Sequence, residues 1–179
     1  MKIYETKVEA GTKQWLKIPV DEECSLKAAA FCGSRPGKRL IVTAGVHGCE
    51  YIGILAVSRL IQELDPRQMK GEVVFLPIAN EGGFYKEIKQ LVPEDGVNLN
   101  RAFPGTEMGS RSAKIAAAVE TYLYPDADFL VDLHSGDIHE MVVPFAFFPV
   151  AAGETVEKKA AAAARALSLS WRVASTAKN

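Results

Sequence analysis

Short continuous apolar runs alternate with segments of helical periodicity along this chain, and that alternation constrains the fold more than any other feature. Leu40 to Val46 reads as a buried strand with Leu40-Ile41-Val42-Thr43-Ala44 at its centre. Tyr51 to Leu64 follows as a helix. Its apolar positions Ile54, Leu55, Val57, Leu60, Ile61 and Leu64 recur mostly at three- and four-residue spacing, and Asp65-Pro66 ends it. Glu72 to Ile78 is a second buried strand, Asp128 to Leu133 a third and Val142 to Phe148 a fourth. Ser110 to Tyr122 and Thr155 to Leu167 are helices, the first with Ser110 or Ser112 near its start, and Trp171 to Ala174 begins a fifth strand. Strands that alternate with helices at this spacing need crossover connections. The fold class is therefore α/β, with a mixed, mainly parallel sheet flanked by helices.

Other segments are less regular. Residues 2–9 and 13–19 read as an opening hairpin around Gly11, residues 27–32 as a further strand, and Ser34-Arg35-Pro36-Gly37 as a turn. Residues 80–109 are rich in Gly, Pro, Asn and charge. A stretch of that length without strong periodicity is usually functional or disordered.

Charge and cysteine usage exclude several classes. Lys plus Arg is 21 and Asp plus Glu is 22, a near-balance that argues against a nucleic-acid or polybasic membrane binder. Cys24, Cys32 and Cys49 are odd in number and form no CxxC pair, which reads as free thiols in a reducing compartment. The first residues lack an apolar signal region, and the longest apolar run, Met141 to Ala152, is broken by Pro144 and Pro149. The expectation is a cytoplasmic protein of one domain without nucleic-acid or membrane partners. A homo-oligomer is compatible with the sequence.

In open α/β sheets, ligands bind beyond the carboxyl ends of strands. His47 follows the strand at 40–46 and His134 closes the strand at 128–133. His47-Gly48-Cys49-Glu50 is an H-x-x-E unit on a strand-to-helix turn, so both heads can converge on one point. With His134 as third ligand, the set is a catalytic zinc pattern with one open position. Each histidine alone also fits a structural role. Cys49 lies between two candidate ligands, and the helical direction turns it towards the core. His139 reads as solvated loop. In Asn98-Leu99-Asn100-Arg101-Ala102-Phe103-Pro104-Gly105, Arg101 offers a planar fork for a carboxylate and Asn100 a donor and an acceptor, against the default of a solvated loop arginine.

Taken in order, Gly45-Val46-His47-Gly48-Cys49-Glu50, the Asn98–Gly105 segment and Asp132-Leu133-His134-Ser135-Gly136 resemble the succinylglutamate desuccinylase/aspartoacylase family, a branch of the zinc carboxypeptidase fold. The resemblance covers residues 38 to 150. It implies a zinc carboxypeptidase-like fold and a zinc-dependent deacylase that cleaves the amide bond of a small anionic N-acyl amino acid. His47, Glu50 and His134 would hold one zinc ion per chain, and Asn100 and Arg101 would bind the substrate carboxylate.

Three departures from the family pattern stand out. Asn98 occupies a position often held by Asp, which supports the first histidine; the amide oxygen accepts a hydrogen bond without the charge. The carbonyl-polarising arginine expected before the motif has Lys89 as its nearest counterpart. The family's general base is a glutamate on a later strand. The acidic residues after His134 (Asp137, Glu140, Glu154 and Glu157) do not sit in that context. The chain is accordingly read as a single catalytic domain over 1–179, cut short at its C-terminal end, with the general base expected beyond Asn179. Two other readings share the ligands: a zinc carboxypeptidase acting on peptides, and a zinc-binding fragment without turnover.

Overall fold

The structure is a computed structural model and describes residues 1–176. They fall into two compact units, Met1–Glu140 and Met141 onward.

The first unit is built on a five-stranded sheet. The chain opens with a small antiparallel ribbon, β1 (Lys2–Ile3) and β2 (Thr6–Lys7), turned by Tyr4 at a left-handed φ of 50°. β3 (Thr12–Pro19), β4 (Ser25–Cys32), β5 (Arg35–Ala44), β6 (Lys70–Leu76) and β9 (Phe129–Leu133) form the sheet in the order β3-β4-β6-β5-β9. β4 pairs antiparallel with both β3 and β6, whereas β5 pairs parallel with β6 and β9. The sheet is thus mixed, and its parallel half carries the strands whose carboxyl ends lead into His47 and His134. A minor ribbon, β7 (Leu91–Val92) with β8 (Val97–Asn98), lies within the irregular stretch.

Two expectations change here. Residues 2–9 and 13–19 do not pair with each other: β1 and β2 close their own ribbon, and β3 takes β4 as its partner. The segment expected as a turn at 34–37 instead begins β5, whose register shifts between Arg35 and Arg39. The amino-terminal residues of that strand pair before the apolar run starts, which periodicity alone does not register.

Strand alternation splits the core between the two sheet faces. Ala28, Ala30, Ile41, Val74 and Leu76 point to one face, where α3 (Arg111–Tyr122) buries Ile115, Ala116 and Val119. Ala29, Phe31, Val42, Ala44 and Phe75 point to the other, against Ile54, Val57 and Ile61 of α1 (Tyr51–Glu63). Each fully buried aliphatic side chain contributes about 1.5–3 kcal/mol relative to exposure. Leu55 and Leu60, counted in the helical pattern, are exposed, because the helix turns the stripe of Gly53, Ile54, Val57 and Ile61 to the sheet.

Neither serine at the start of α3 caps it alone. Ser110 occupies the cap position, but its hydroxyl meets that of Ser112 at 3.1 Å and makes no capping bond. Asp95, from a distant loop, accepts from the backbone N–H of Ser112 at 2.7 Å and from its hydroxyl at 2.6 Å.

The second unit is a β-α-β crossover: β10 (Phe145–Pro149), α4 (Glu154–Ala166) and β11 (Trp171–Ser175), the two strands parallel. Arg172 fastens it by donating to the carbonyl of Ala164 at 3.0 Å. Glu154 and Glu157 lie in the first turn of α4, where carboxylates complement the helix dipole. Among the described residues, no helix is long and apolar enough to cross a membrane.

Candidate metal centre

The turn after β5 is shaped by backbone constraints. Gly45 takes φ +62°, and its carbonyl accepts from Asn80 N–H at 2.9 Å. At Gly48 a Cβ would lie 2.3 Å from the carbonyl carbon of Gly83, so only glycine lets this turn pass against the short helix α2 (Glu81–Tyr85). Asn80, fully buried, caps that helix through Gly83 N–H and donates to the carbonyl of Leu91. The result holds His47 and Glu50 three residues apart with their heads on the same side.

Glu50 stands at the position that would cap α1, yet its side chain does not cap it. The carboxylate turns to the histidines instead. Oε1 lies 2.7 Å from Nδ1 of His47, and Oε2 lies 2.8 Å from Nδ1 of His134 and accepts from Ser135 N–H at 3.0 Å. One ligand atom from each of His47, Glu50 and His134 falls within 4.8 Å of the others. Side-chain exposure is 11% for His47, 12% for Glu50 and 33% for His134, so the cluster opens to solvent on the His134 side.

The outer nitrogens of both rings are engaged. His47 Nε2 faces Asn98 Oδ1 at 3.1 Å, and His134 Nε2 faces Asp132 Oδ2 at 2.8 Å. Asn98 Oδ1 also accepts from Asn100 N–H at 2.9 Å, which identifies that atom as the amide oxygen. Both partners are acceptors, so both Nε2 atoms carry protons and both Nδ1 lone pairs point at the Glu50 carboxylate. Acceptors facing acceptors need a cation or a further proton between them. At His134 the surroundings favour that further proton. Burial pushes His134 down, but bonds to Asp132 and Glu50 prevail and raise it to about 10. Burial likewise pushes Glu50 up, and the bonds from His134 and His47 hold it at about 2. Two imidazole nitrogens and a carboxylate, braced from behind, are a donor set that fits zinc.

The other expected residues fall as follows. Leu99 is fully buried and anchors a single 3-10 turn, Leu99–Arg101, so Asn98 meets His47 while Asn100 is half-buried and Arg101 exposed. The Arg101 guanidinium donates to the carbonyl of Asn100 at 3.1 Å. Lys89 is paired with Asp137 at 2.8 Å, three residues past His134. Cys49 is buried, with its sulfur 3.9 Å from the Tyr51 hydroxyl and outside the cluster. His139 is exposed. Sequence reasoning missed Asp132. Its signal is the i, i+2 spacing to His134, which on a strand puts both on one face.

Residues 36–179 match the model of the succinylglutamate desuccinylase/aspartoacylase catalytic domain. The chain belongs to that family. It is 32% identical over 164 residues to the N-alpha-acetyl-L-2,4-diaminobutyric acid deacetylase of Halomonas elongata, a match covering 89% of this chain and 48% of the relative. An aspartoacylase family protein from Mesorhizobium loti superimposes with a TM-score of 0.77 at 30% identity, over 91% of this chain and 52% of that one. The product-bound ectoine utilization protein EutE (DoeB) of Ruegeria pomeroyi gives a TM-score of 0.77 at 27% identity, over 91% and 51%. The chain thus spans about half the length of the relatives it matches.

Proposed function

We propose that this chain forms the metal-binding part of a zinc-dependent deacylase, which hydrolyses the amide bond of a small N-acyl amino acid. The observation that carries the reading is the convergence of His47 Nδ1 and His134 Nδ1 on the two oxygens of Glu50. His47, Glu50 and His134 would hold the ion. Bound there, zinc supplies Lewis-acid chemistry, acidifying a water and polarising an acyl carbonyl. Glu50 would then be a ligand and not the base, since its carboxylate sits between the two Nδ1 atoms. The half-buried Asn100 and the exposed Arg101 would grip the substrate's carboxylate, and positioning of that kind lowers the barrier by several kcal/mol, on the order of the values known for oriented reactants.

The substrate class follows from the deacetylase relative named above: an N-acetylated or similarly acylated amino acid bearing a free carboxylate. Elemental analysis tests the metal assignment. The wild-type chain should retain one zinc, and His47→Ala or His134→Ala should lose it; full retention by either variant sinks the assignment.

A further inference from the structure

Thr43 lies on β5, four residues before His47, and its side chain is buried. The parallel register sets it directly opposite Asp132 on β9. Its hydroxyl donates to Asp132 Oδ1 at 2.6 Å, while Asp132 Oδ2 faces His134 Nε2 at 2.8 Å. The two oxygens of one carboxylate are therefore divided between a buried hydroxyl and the outer nitrogen of a candidate ligand. A chain of three side chains runs Thr43, Asp132, His134 and ends on Glu50. We propose that Thr43 is a positioning residue for the metal site, acting through Asp132 on His134. The inference rests on the zinc reading above and adds to it a residue that touches neither metal nor substrate.

The physical argument is rotational. Asp132 lies on a strand at the edge of the sheet and its side chain is one-third exposed, so packing does not fix its carboxylate. The side chain of Thr43 comes from a central strand and is stiff at χ1. Its hydroxyl pins Oδ1, and with the carboxylate plane fixed, Oδ2 can be aimed only at Nε2. That holds the proton on Nε2 and directs the Nδ1 lone pair into the cluster. His47 has no equivalent arrangement, since its outer nitrogen meets the neutral amide of Asn98. His134, the more exposed of the two rings, is the one held by a carboxylate under control of a buried hydroxyl.

Thr43→Val keeps the shape and removes the hydroxyl; Thr43→Ser keeps the hydroxyl and removes the methyl. Zinc affinity is measured by competition with a chromophoric chelator, with the visible spectrum of the cobalt-substituted protein as a second readout. Loss of an outer partner typically weakens metal binding by about 10- to 100-fold. Thr43→Val should bind zinc about 10-fold more weakly and shift the cobalt bands, Thr43→Ser should stay within about 2-fold of wild type, and Asp132→Asn should be weakened at least as much as Thr43→Val. Should Thr43→Val not fold, Thr43→Ser at wild-type affinity with a weakened Asp132→Asn supports the role. Wild-type affinity in Thr43→Val overturns the inference and leaves the zinc reading intact. Equal weakening by Val and Ser also overturns it, because packing would then be the cause. A wild-type chain that binds no zinc removes both.

Discussion

His47 and Asn98, fifty-one positions apart, meet at 3.1 Å through Nε2 and the amide oxygen. That oxygen also accepts the N–H of Asn100, so one atom orients a candidate ligand and starts the turn that carries Arg101. A neutral acceptor raises the basicity of an imidazole less than a carboxylate does. Asn98→Ala should weaken zinc binding about 10-fold, and Asn98→Asp should tighten it above wild type. Chelator competition measures both. An Asn98→Asp variant that binds more weakly than wild type would contradict the assigned geometry.

Among the described residues, the exposed Arg101 side chain has one hydrogen bond, to the carbonyl of the preceding Asn100. Its planar fork is free to take a carboxylate. Hydrogen bonds to charged groups are worth about 1.5–3 kcal/mol, so Arg101→Ala should weaken binding of an N-acetyl amino acid by about 10- to 100-fold. Lysine keeps the charge but not the fork, so Arg101→Lys should recover only part of the loss. Calorimetry on the zinc-loaded protein reads both; equal affinity for wild type and alanine variant rules the role out.

Asp21 joins the β3–β4 turn to α3. It accepts from Cys24 N–H at 2.9 Å and from Arg111 at 2.7 Å. The bond from Arg111 holds its carboxyl at about 2, against an ordinary 3.8, despite partial burial. A carboxyl lowered on folding stabilises the protein above its unfolded value, and that contribution is lost as pH falls through the folded one. Asp21→Asn keeps the acceptor for the turn and removes the charge. Its melting temperature should lie below wild type at pH 7, and the gap should close between about pH 4 and pH 2. A gap independent of pH would show that Arg111 draws nothing from the charge.

Gly48 has no room for a side chain, since the three nearest atoms that an added Cβ would strike all belong to backbone at Gly83 and Phe84. Gly48→Ala should cost about 1–3 kcal/mol in chemical denaturation, the usual cost of overpacking. The turn must also shift, separating His47 from Glu50, so zinc affinity should fall with it. Loss of stability with unchanged zinc affinity would mean that the clash is relieved on the α2 side.

Much of this arrangement is written locally. The runs at Leu40–Val46, Glu72–Ile78 and Asp128–Leu133 become the three strands of the parallel half; continuous apolar residues bury both faces in the first two, whereas the third, expected as buried, lies at the sheet edge with Leu130 exposed. His47, Glu50 and His134 are legible because histidines at carboxyl strand ends and an H-x-x-E unit on a turn are local patterns. Partnership across the fold is not. Neither Asp95 capping α3 nor Asp132 gripping Thr43 leaves a mark at the residue it serves, since sheet register and loop packing create both contacts. The exposure of Leu55 and Leu60 has the same origin: helical spacing marks a helix as amphipathic, but the sheet decides which stripe it covers.

By itself the sequence determined an α/β chain with zinc-type ligands, because periodicity and residue chemistry act over a few neighbouring positions. The tertiary structure alone decided which side chains stand behind those ligands. Asn98 reaches His47 from a distant loop and Thr43 reaches Asp132, the partner of His134, from the neighbouring strand, and hydrogen bonds form only where the fold brings donor and acceptor within about 3 Å.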